Sequence, residues 1–273
     1  MKSHFEITFP LFLDHDDFHT VKFISLERDT LEFRHGIYYL CGENGSGKTT
    51  FVNMLALIAG HIGGEKAGKG NIRFNGESYR GENFDYLRAA EIRENSFCIF
   101  PQKVFFLPVS TRDNYIILNG SEKEKENTFS PYESPDLLSG GQQQRILMDI
   151  VLDDKKPVWF LDEPLTNMDS ERRLYFWESL VWAFECSPRT LFFIDHWMVP
   201  IIKNDKGFKL LGTLITQMEN RLEDRPPDLE SKEIEIYENR SPIPFFKRQI
   251  HVIKRELSLK KEVIFQRDKG NTD

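Results

Sequence analysis

The residues with the most definite chemistry are Gly42-Glu43-Asn44-Gly45-Ser46-Gly47-Lys48-Thr49. Glycines at this spacing let backbone N–H groups turn inward around phosphate oxygens. A lysine in this place reaches terminal phosphates, and the neighbouring hydroxyl can hold Mg²⁺. The flanks agree. Ile37-Tyr38-Tyr39-Leu40-Cys41 is an apolar run, and Thr50 to Ala59 is helix-like, so a helix N-terminus would add its positive end to the same site. Strand, glycine-rich loop, Lys-Thr and helix together are the sequence form of a P-loop. The alternative, a glycine-rich turn that binds nothing, leaves those flanks without a reason.

The elements that must position this loop come next. Three more short apolar runs end at Phe100, Leu161 and Ile194, and helix-like stretches separate them. Short, fully apolar strands between helices predict a parallel sheet covered on both faces. Ligands of such sheets bind beyond the carboxyl ends of the strands. The residues just past the other three ends are Gln102, Asp162-Glu163 and His196, all useful around Mg²⁺ and phosphate. Side chains alternate along a strand, so Asp162 and Glu163 cannot both face one metal while the strand runs on. Pro164 makes continuation unfavourable and lets Glu163 turn toward a nucleotide, where a carboxylate could act as general base on water.

At 273 residues the chain holds one large domain, or a domain and a small appendage. Its net charge of −7, with acids and bases interspersed, speaks against nucleic-acid binding as the main task. Three scattered cysteines give neither metal spacing nor a disulfide framework, which fits a reducing compartment. Cys41 and Cys98 lie in apolar runs and are expected to be small buried residues. The N-terminus lacks a signal-peptide core, and no run approaches the roughly 20 apolar residues that cross a bilayer. The expectation is a soluble chain, with any membrane crossing left to another.

Elsewhere, strands are expected at Val21–Ile24, Thr30–Phe33 and Asn71–Phe74, the last followed by the turn signal Asn75-Gly76. Helices are expected over 84–93, 111–118 and 138–152, the last with Ile146, Ile150 and Val151 at helical spacing. Gly120 to Pro135 is polar and charged and reads as an exposed connection. A helix capped by Ser170 would bury Leu174, Trp177, Val181 and Phe184. In the tail, 233–237, 249–253 and 262–265 alternate like strands, so the chain divides on paper into 1–202 and a small extension over 203–273, with bracing as its default role.

Leu138-Ser139-Gly140-Gly141-Gln142-Gln143-Gln144-Arg145 resembles the signature of ATP-binding cassette (ABC) ATPases, and the other motifs fall in that family's order over about residues 20–200. Gly42 to Thr49 resembles Walker A, with Thr50 next to it. Gln102 resembles the Q-loop glutamine, and Val158 to Asp162 resembles Walker B, followed by the catalytic Glu163. Leu165 to Asp169 stands where the D-loop stands, and His196 matches the switch histidine. The resemblance implies an α/β P-loop NTPase of ABC type: a mostly parallel sheet core, an antiparallel β subdomain and a helical signature subdomain. It implies ATP and Mg²⁺ as ligands, with Thr49, Gln102 and Asp162 at the metal and Lys48, Gln102, Glu163 and His196 at the reacting phosphate. It also implies a head-to-tail dimer, homo- or heteromeric, in which Ser139, Gly140, Gly141 and Gln142 of one subunit close on the γ-phosphate held by the other. Asp169 would help couple the two sites.

The sequence departs from the pattern where an aromatic residue would stack on adenine; Phe18 is the nearest candidate, with His19 beside it. Only about 35 residues separate Gln102 from Leu138, too few for the long coiled coil of DNA-repair ABC ATPases. The segment Phe105 to Asn114 resembles the one that leads to the membrane subunit in transporter ATPases. The reading is therefore the separate ATP-binding subunit of a transporter, cytoplasmic and peripheral on a membrane, with a polytopic partner. Two alternatives stay open: a soluble ABC switch in a defence or nucleic-acid-surveillance assembly, and a non-catalytic nucleotide-binding module.

Overall fold

The computed structural model describes residues 4–14, 19–58, 70–79, 85–102, 106–119, 134–166, 168–220 and 231–270. The strands are β1 (Phe5–Thr8), β2 (Leu11–Asp14), β3 (His19–Ser25), β4 (Thr30–Phe33), β5 (Gly36–Cys41), β6 (Asn71–Phe74), β7 (Glu77–Tyr79), β8 (Phe97–Phe100), β9 (Val158–Asp162), β10 (Thr190–Ile194), β11 (Lys209–Asn220) and β12 (Lys232–Asn239). The helices are α1 (Lys48–Leu55), α2 (Tyr86–Ser96), α3 (Thr111–Asn119), α4 (Gly140–Asp153), α5 (Ser170–Cys186), α6 (Val199–Asn204) and α7 (Ile243–Gly270). Phe18, Ala59, Phe105, Asn167 and the stretch 120–133, all within segments singled out above, lie outside the described residues.

The chain forms two compact units. The first is built from 1–103, 156–164 and 188–240 and carries both sheets. Its eight-stranded sheet runs β2-β3-β11-β12-β5-β10-β9-β8. The four apolar runs expected to lie parallel do so, as β5-β10-β9-β8, with Phe192 opposite both Tyr38 and Phe160. They are one half of a mixed sheet, because β2, β3, β11 and β12 pair antiparallel and join it through β12 on β5. Every residue of β5, β9 and β10 is buried, the pattern of strands covered on both faces. The smaller sheet, β4-β1-β6-β7, is antiparallel throughout. Asn75 (φ 50°) and Gly76 (φ 89°) make its β6–β7 turn with both central residues at positive φ, as that pair predicts. Phe5 of β1 packs against Phe74, Phe97, Phe160 and Phe192, which ties the small sheet to the parallel strands.

The second unit comprises 104–155, 165–187 and 241–273 and is helical. Ile146 and Ile150 of α4 pack with Tyr115 of α3. On α5 the buried stripe is Phe176, Trp177, Leu180 and Ala183. Of the stripe expected from sequence, only Trp177 is fully buried, because the long helix α7 lies against α5 and selects the face it covers. The cap also moves by one residue: Asp169 is the N-cap, its carboxylate accepting from Arg172 N, and Ser170 is the first helical residue. The segments at 249–253 and 262–265, expected as strands, are both within α7. Phe245, Phe246, Gln249 and Ile253 are buried there at helical spacing.

Trp177 is fully buried, with ring centroids 5.0 Å from Phe176, 5.7 Å from Phe245 and 5.6 Å from Phe246. Trp177→Ala is expected to cost roughly 3–5 kcal/mol, the range for emptying a large aromatic site. Urea unfolding followed by circular dichroism reads this as a lower midpoint. An unchanged midpoint would mean that α7 does not hold to α5 through this cluster.

Residues 203–273 do not form a unit of their own. Strands β11 and β12 sit inside the large sheet between β3 and β5, while α7 belongs to the helical unit.

Candidate functional site

The site lies in the first unit, where β5, β8, β9 and β10 end on the same side of the sheet. Gly45 (φ 71°) and Gly47 (φ 87°) take backbone conformations that a side chain disfavours, and Gly47 is the N-cap of α1. Crowding adds a second constraint: a Cβ at Gly42 would lie 2.6 Å from the carbonyl oxygen of Glu233 on β12. The helix that follows is regular from its first bond, Phe51 N to Gly47 O at 2.8 Å. Thr50 is half-buried on its first turn. It stops at Leu55, short of the Ala59 expected, with Leu57 at φ 56° turning the chain away.

Lys48 is mostly buried and folds back over the loop. Its ammonium donates to the carbonyls of Gly42 (2.9 Å) and Glu43 (2.7 Å) and lies 3.4 Å from Ser46 Oγ. Burial lowers its pKa from the ordinary lysine value, and Asp162 and Glu163 oppose that shift. Thr49 Oγ1 donates to Asp162 Oδ2 at 2.7 Å. Burial raises the Asp162 carboxyl above the usual range, while the Thr49 bond and Lys48 pull it down. The other oxygen, Asp162 Oδ1, is buried without a hydrogen-bond partner among the described residues. A hydroxyl and a carboxylate joined to each other, one carboxylate oxygen unsatisfied and a lysine alongside form a donor set suited to a hard divalent cation on a phosphate chain.

The strand β9 ends at Asp162, and Glu163 leaves it at φ 52°. The turn expected from Pro164 is therefore present, and it is held by the Glu163 N–H bond to Ile194 O at 2.8 Å. A left-handed conformation costs a non-glycine residue about 1–2 kcal/mol. It releases the Glu163 side chain from the strand's alternation and brings Oε1 to 3.5 Å from His196 Nε2. His196 opens a short 3₁₀ turn whose N-cap is the buried Asp195, which accepts from Trp197 N at 2.9 Å. The imidazole is thus presented by a capped turn, with 42% of its side chain exposed and free to reach outward. Gln102 is exposed at the end of β8, and among the described residues its amide does not join the Lys48–Thr49–Asp162 cluster.

Two residues outside the sequence expectation touch the loop. Thr216 of β11 donates its hydroxyl to Ser46 O at 2.8 Å, and Lys232 of β12 reaches Asn44 O at 3.3 Å. They lie 170 and 188 residues from their partners, a separation no local pattern reports.

In the helical unit, Ser139 is the N-cap of α4. Its hydroxyl accepts from Gln142 N, and Gln142 Oε1 accepts from Ser139 N at 2.8 Å, a complete capping box. Gly140 and Gly141 are exposed, and a Cβ at either would meet nothing within 4 Å. Among the described residues, nothing therefore asks for glycine there. Cys41 is buried as expected, its thiol pushed up to about 12 by that burial, and Cys98 is buried too.

A family model described as ABC transporter matches residues 26–166. The Fe(3+) ions import ATP-binding protein of Fusobacterium nucleatum is 30% identical over 161 residues, which cover 55% of this chain and 42% of that protein. ABC transporter E family member 1 of Arabidopsis thaliana is 27% identical over 166 residues, 59% of this chain and 25% of its own length. The chain thus spans less than half the length of these two relatives. Among solved structures, a dimeric ATP-binding cassette in a post-hydrolysis state, bound to ADP and Pi, superposes with a TM-score of 0.53 at 17% identity. The match covers 70% of this chain and 88% of that one, a likeness of fold.

Proposed function

Because this chain belongs to the ABC transporter family, we propose that it binds and hydrolyses ATP as one half of a nucleotide-sandwich dimer. The observation that carries the reading is the Thr49–Asp162 bond, with the unsatisfied Asp162 Oδ1 beside Lys48. The backbone N–H groups of the loop from Gly42 to Thr50 would bind the phosphates, and Lys48 would exchange the carbonyls of Gly42 and Glu43 for phosphate oxygens. Thr49 and Asp162, with Gln102, would hold Mg²⁺, which when bound supplies positive charge to the β- and γ-phosphate oxygens.

Glu163 would accept a proton from the attacking water at its carboxylate. His196 would hold the γ-phosphate and keep Glu163 in place, as their 3.5 Å separation suits. Once the two subunits close, bulk water is excluded and these charges act at greater strength. The exposed glycines at the start of α4 support the second half of the reading. They leave bare helix N–H groups that another subunit's phosphate can approach. Asp169 already has work as the cap of α5, and coupling of the two sites would be an added role.

Gly141→Asp separates this role from stability. An acid in the first turn of an exposed helix is favourable by roughly 0.3–1 kcal/mol, and no neighbour is crowded. The folded monomer should be as stable as the parent or slightly more so, while ATP hydrolysis falls more than tenfold because the new carboxylate faces phosphate. Hydrolysis at the parent rate in a folded variant would remove the start of α4 from the site.

The finer proposal is that hydrolysis powers transport through a separate polytopic membrane subunit, from the cytoplasmic face. Among the described residues no helix is long and apolar enough to cross a membrane. The import relative supports this reading. A mild-detergent pull-down of the tagged chain should recover a polytopic membrane protein. Stable recovery of a soluble nuclease or effector instead would move the assignment to the soluble-switch alternative.

A further inference from the structure

The loop that would take the phosphates is backed by the last two strands of the large sheet. Thr216 and Lys232 are paired across β11 and β12, and Thr216 also pairs with Phe23 of β3. Residues directly opposite in an antiparallel pair share a face, so Thr216 and Lys232 approach the loop from the same side. Thr216 fixes Ser46 through its hydroxyl, and its methyl group would stand 3.1 Å from a Cβ at Gly47. Phe23 closes the same position, 3.3 Å from that Cβ. The inner part of this wall is thus closely packed.

Lys232 is different. Its ammonium would be 3.4 Å from a Cβ at Gly45, so it stands over the open rim of the loop. Its bond to Asn44 O, at 3.3 Å, is longer than the usual 2.9–3.0 Å and costs little to exchange. No carboxylate lies within ion-pair distance of it among the described residues, in a chain that carries 43 acids. It also adds to the positive charge around Lys48, which burial already penalises. Two cations held at one loop repel each other until an anion sits between them.

We propose that Lys232 is a second phosphate-binding cation of the loop, exchanging the Asn44 carbonyl for phosphate oxygens of the bound nucleotide. Lys48 then serves the loop from within and Lys232 from its rim. This rests on the reading that the loop takes a nucleoside triphosphate.

The test is equilibrium binding to the full chain of four probes: inorganic tripolyphosphate, ATP, ADP and AMP. Lys232→Met should weaken tripolyphosphate and ATP about tenfold, equivalent to about 1.4 kcal/mol. AMP should change less than twofold, and the loss on ATP should shrink in high salt. Lys232→Arg should return ATP to within about threefold of the parent, because the charge is restored on a stem of similar length. In turnover, KM for ATP should rise more than kcat falls. Three results would overturn the proposal: unchanged ATP affinity in Lys232→Met, equal weakening of AMP and ATP, or a Lys232→Arg variant as weak as Lys232→Met. The last two would make Lys232 a strut of the loop. The function reading fails separately. Lys232-dependent binding of tripolyphosphate without ATP binding would sink that reading and keep Lys232 only as a cation for a phosphate chain, whereas ATP binding indifferent to Lys232 would sink this proposal and leave that reading standing.

Discussion

Lys48→Ala is expected to abolish both measurable ATP binding at micromolar nucleotide and at least 10²-fold of the hydrolysis rate. The ammonium is held mostly out of water by two loop carbonyls, so its charge acts on phosphate in a poorly screened setting. Removing one such charge-stabilising donor typically costs 10²–10³ in rate. The same substitution leaves the carbonyls of Gly42 and Glu43 without this donor, so the folded state should be checked by circular dichroism before the rate is read. Binding of a fluorescent ATP analogue and phosphate release are the two measurements. A folded Lys48→Ala protein with parent-like affinity would place the nucleotide elsewhere.

Glu163→Gln is expected to separate what Lys48→Ala merges. Glutamine has nearly the same shape, accepts the same left-handed backbone at similar cost, and keeps a hydrogen-bonding group facing His196. It cannot take a proton from water. Hydrolysis should fall about 10²–10⁴-fold while ATP still binds. Binding without turnover should accumulate the closed dimer, visible as an ATP-dependent shift in size-exclusion chromatography. Hydrolysis within threefold of the parent would remove Glu163 as the base. Loss of turnover in both variants, from a parent that hydrolyses ATP, excludes the non-catalytic module.

The parts of this site that were legible in the sequence are those governed by short-range rules. The loop at 42–49 announces itself because φ > 0 and close backbone approach demand glycine, and its neighbours supply strand and helix within ten residues. Asn75-Gly76 is legible for the same reason. The parallel strands are legible because burial on both faces leaves no polar residue inside them, and their ends then point to Gln102, Glu163 and His196. Five-residue alternation is a weaker signal. Gln249 to Ile253 alternates as a strand does, yet the helical spacing of Phe245, Phe246, Gln249 and Ile253, met by Trp177 on α5, decides the structure. The stripe of α5 shifted for a related reason: a helix that is apolar over more than one face is oriented by whichever neighbour packs on it. Thr216 and Lys232 were illegible because their link to the loop exists only once the sheet has formed.

The order of strands in that sheet also bears on how the protein is made. Strands β3 and β5 are synthesised early, but the two that lie between them come some 170 residues later. Until residues 209–239 leave the ribosome, β3 and β5 each present an open backbone edge, the kind of edge that pairs with other chains. Closing the sheet is therefore a late, long-range event, and loop-closure entropy slows such events. A nascent chain released at residue 202 would carry the loop at 42–49, Gln102, Asp162, Glu163, the start of α4 and His196, but not Lys232, and would still have no continuous sheet. It should aggregate or bind chaperones, whereas a chain ending after β12 should already complete the larger of the two sheets.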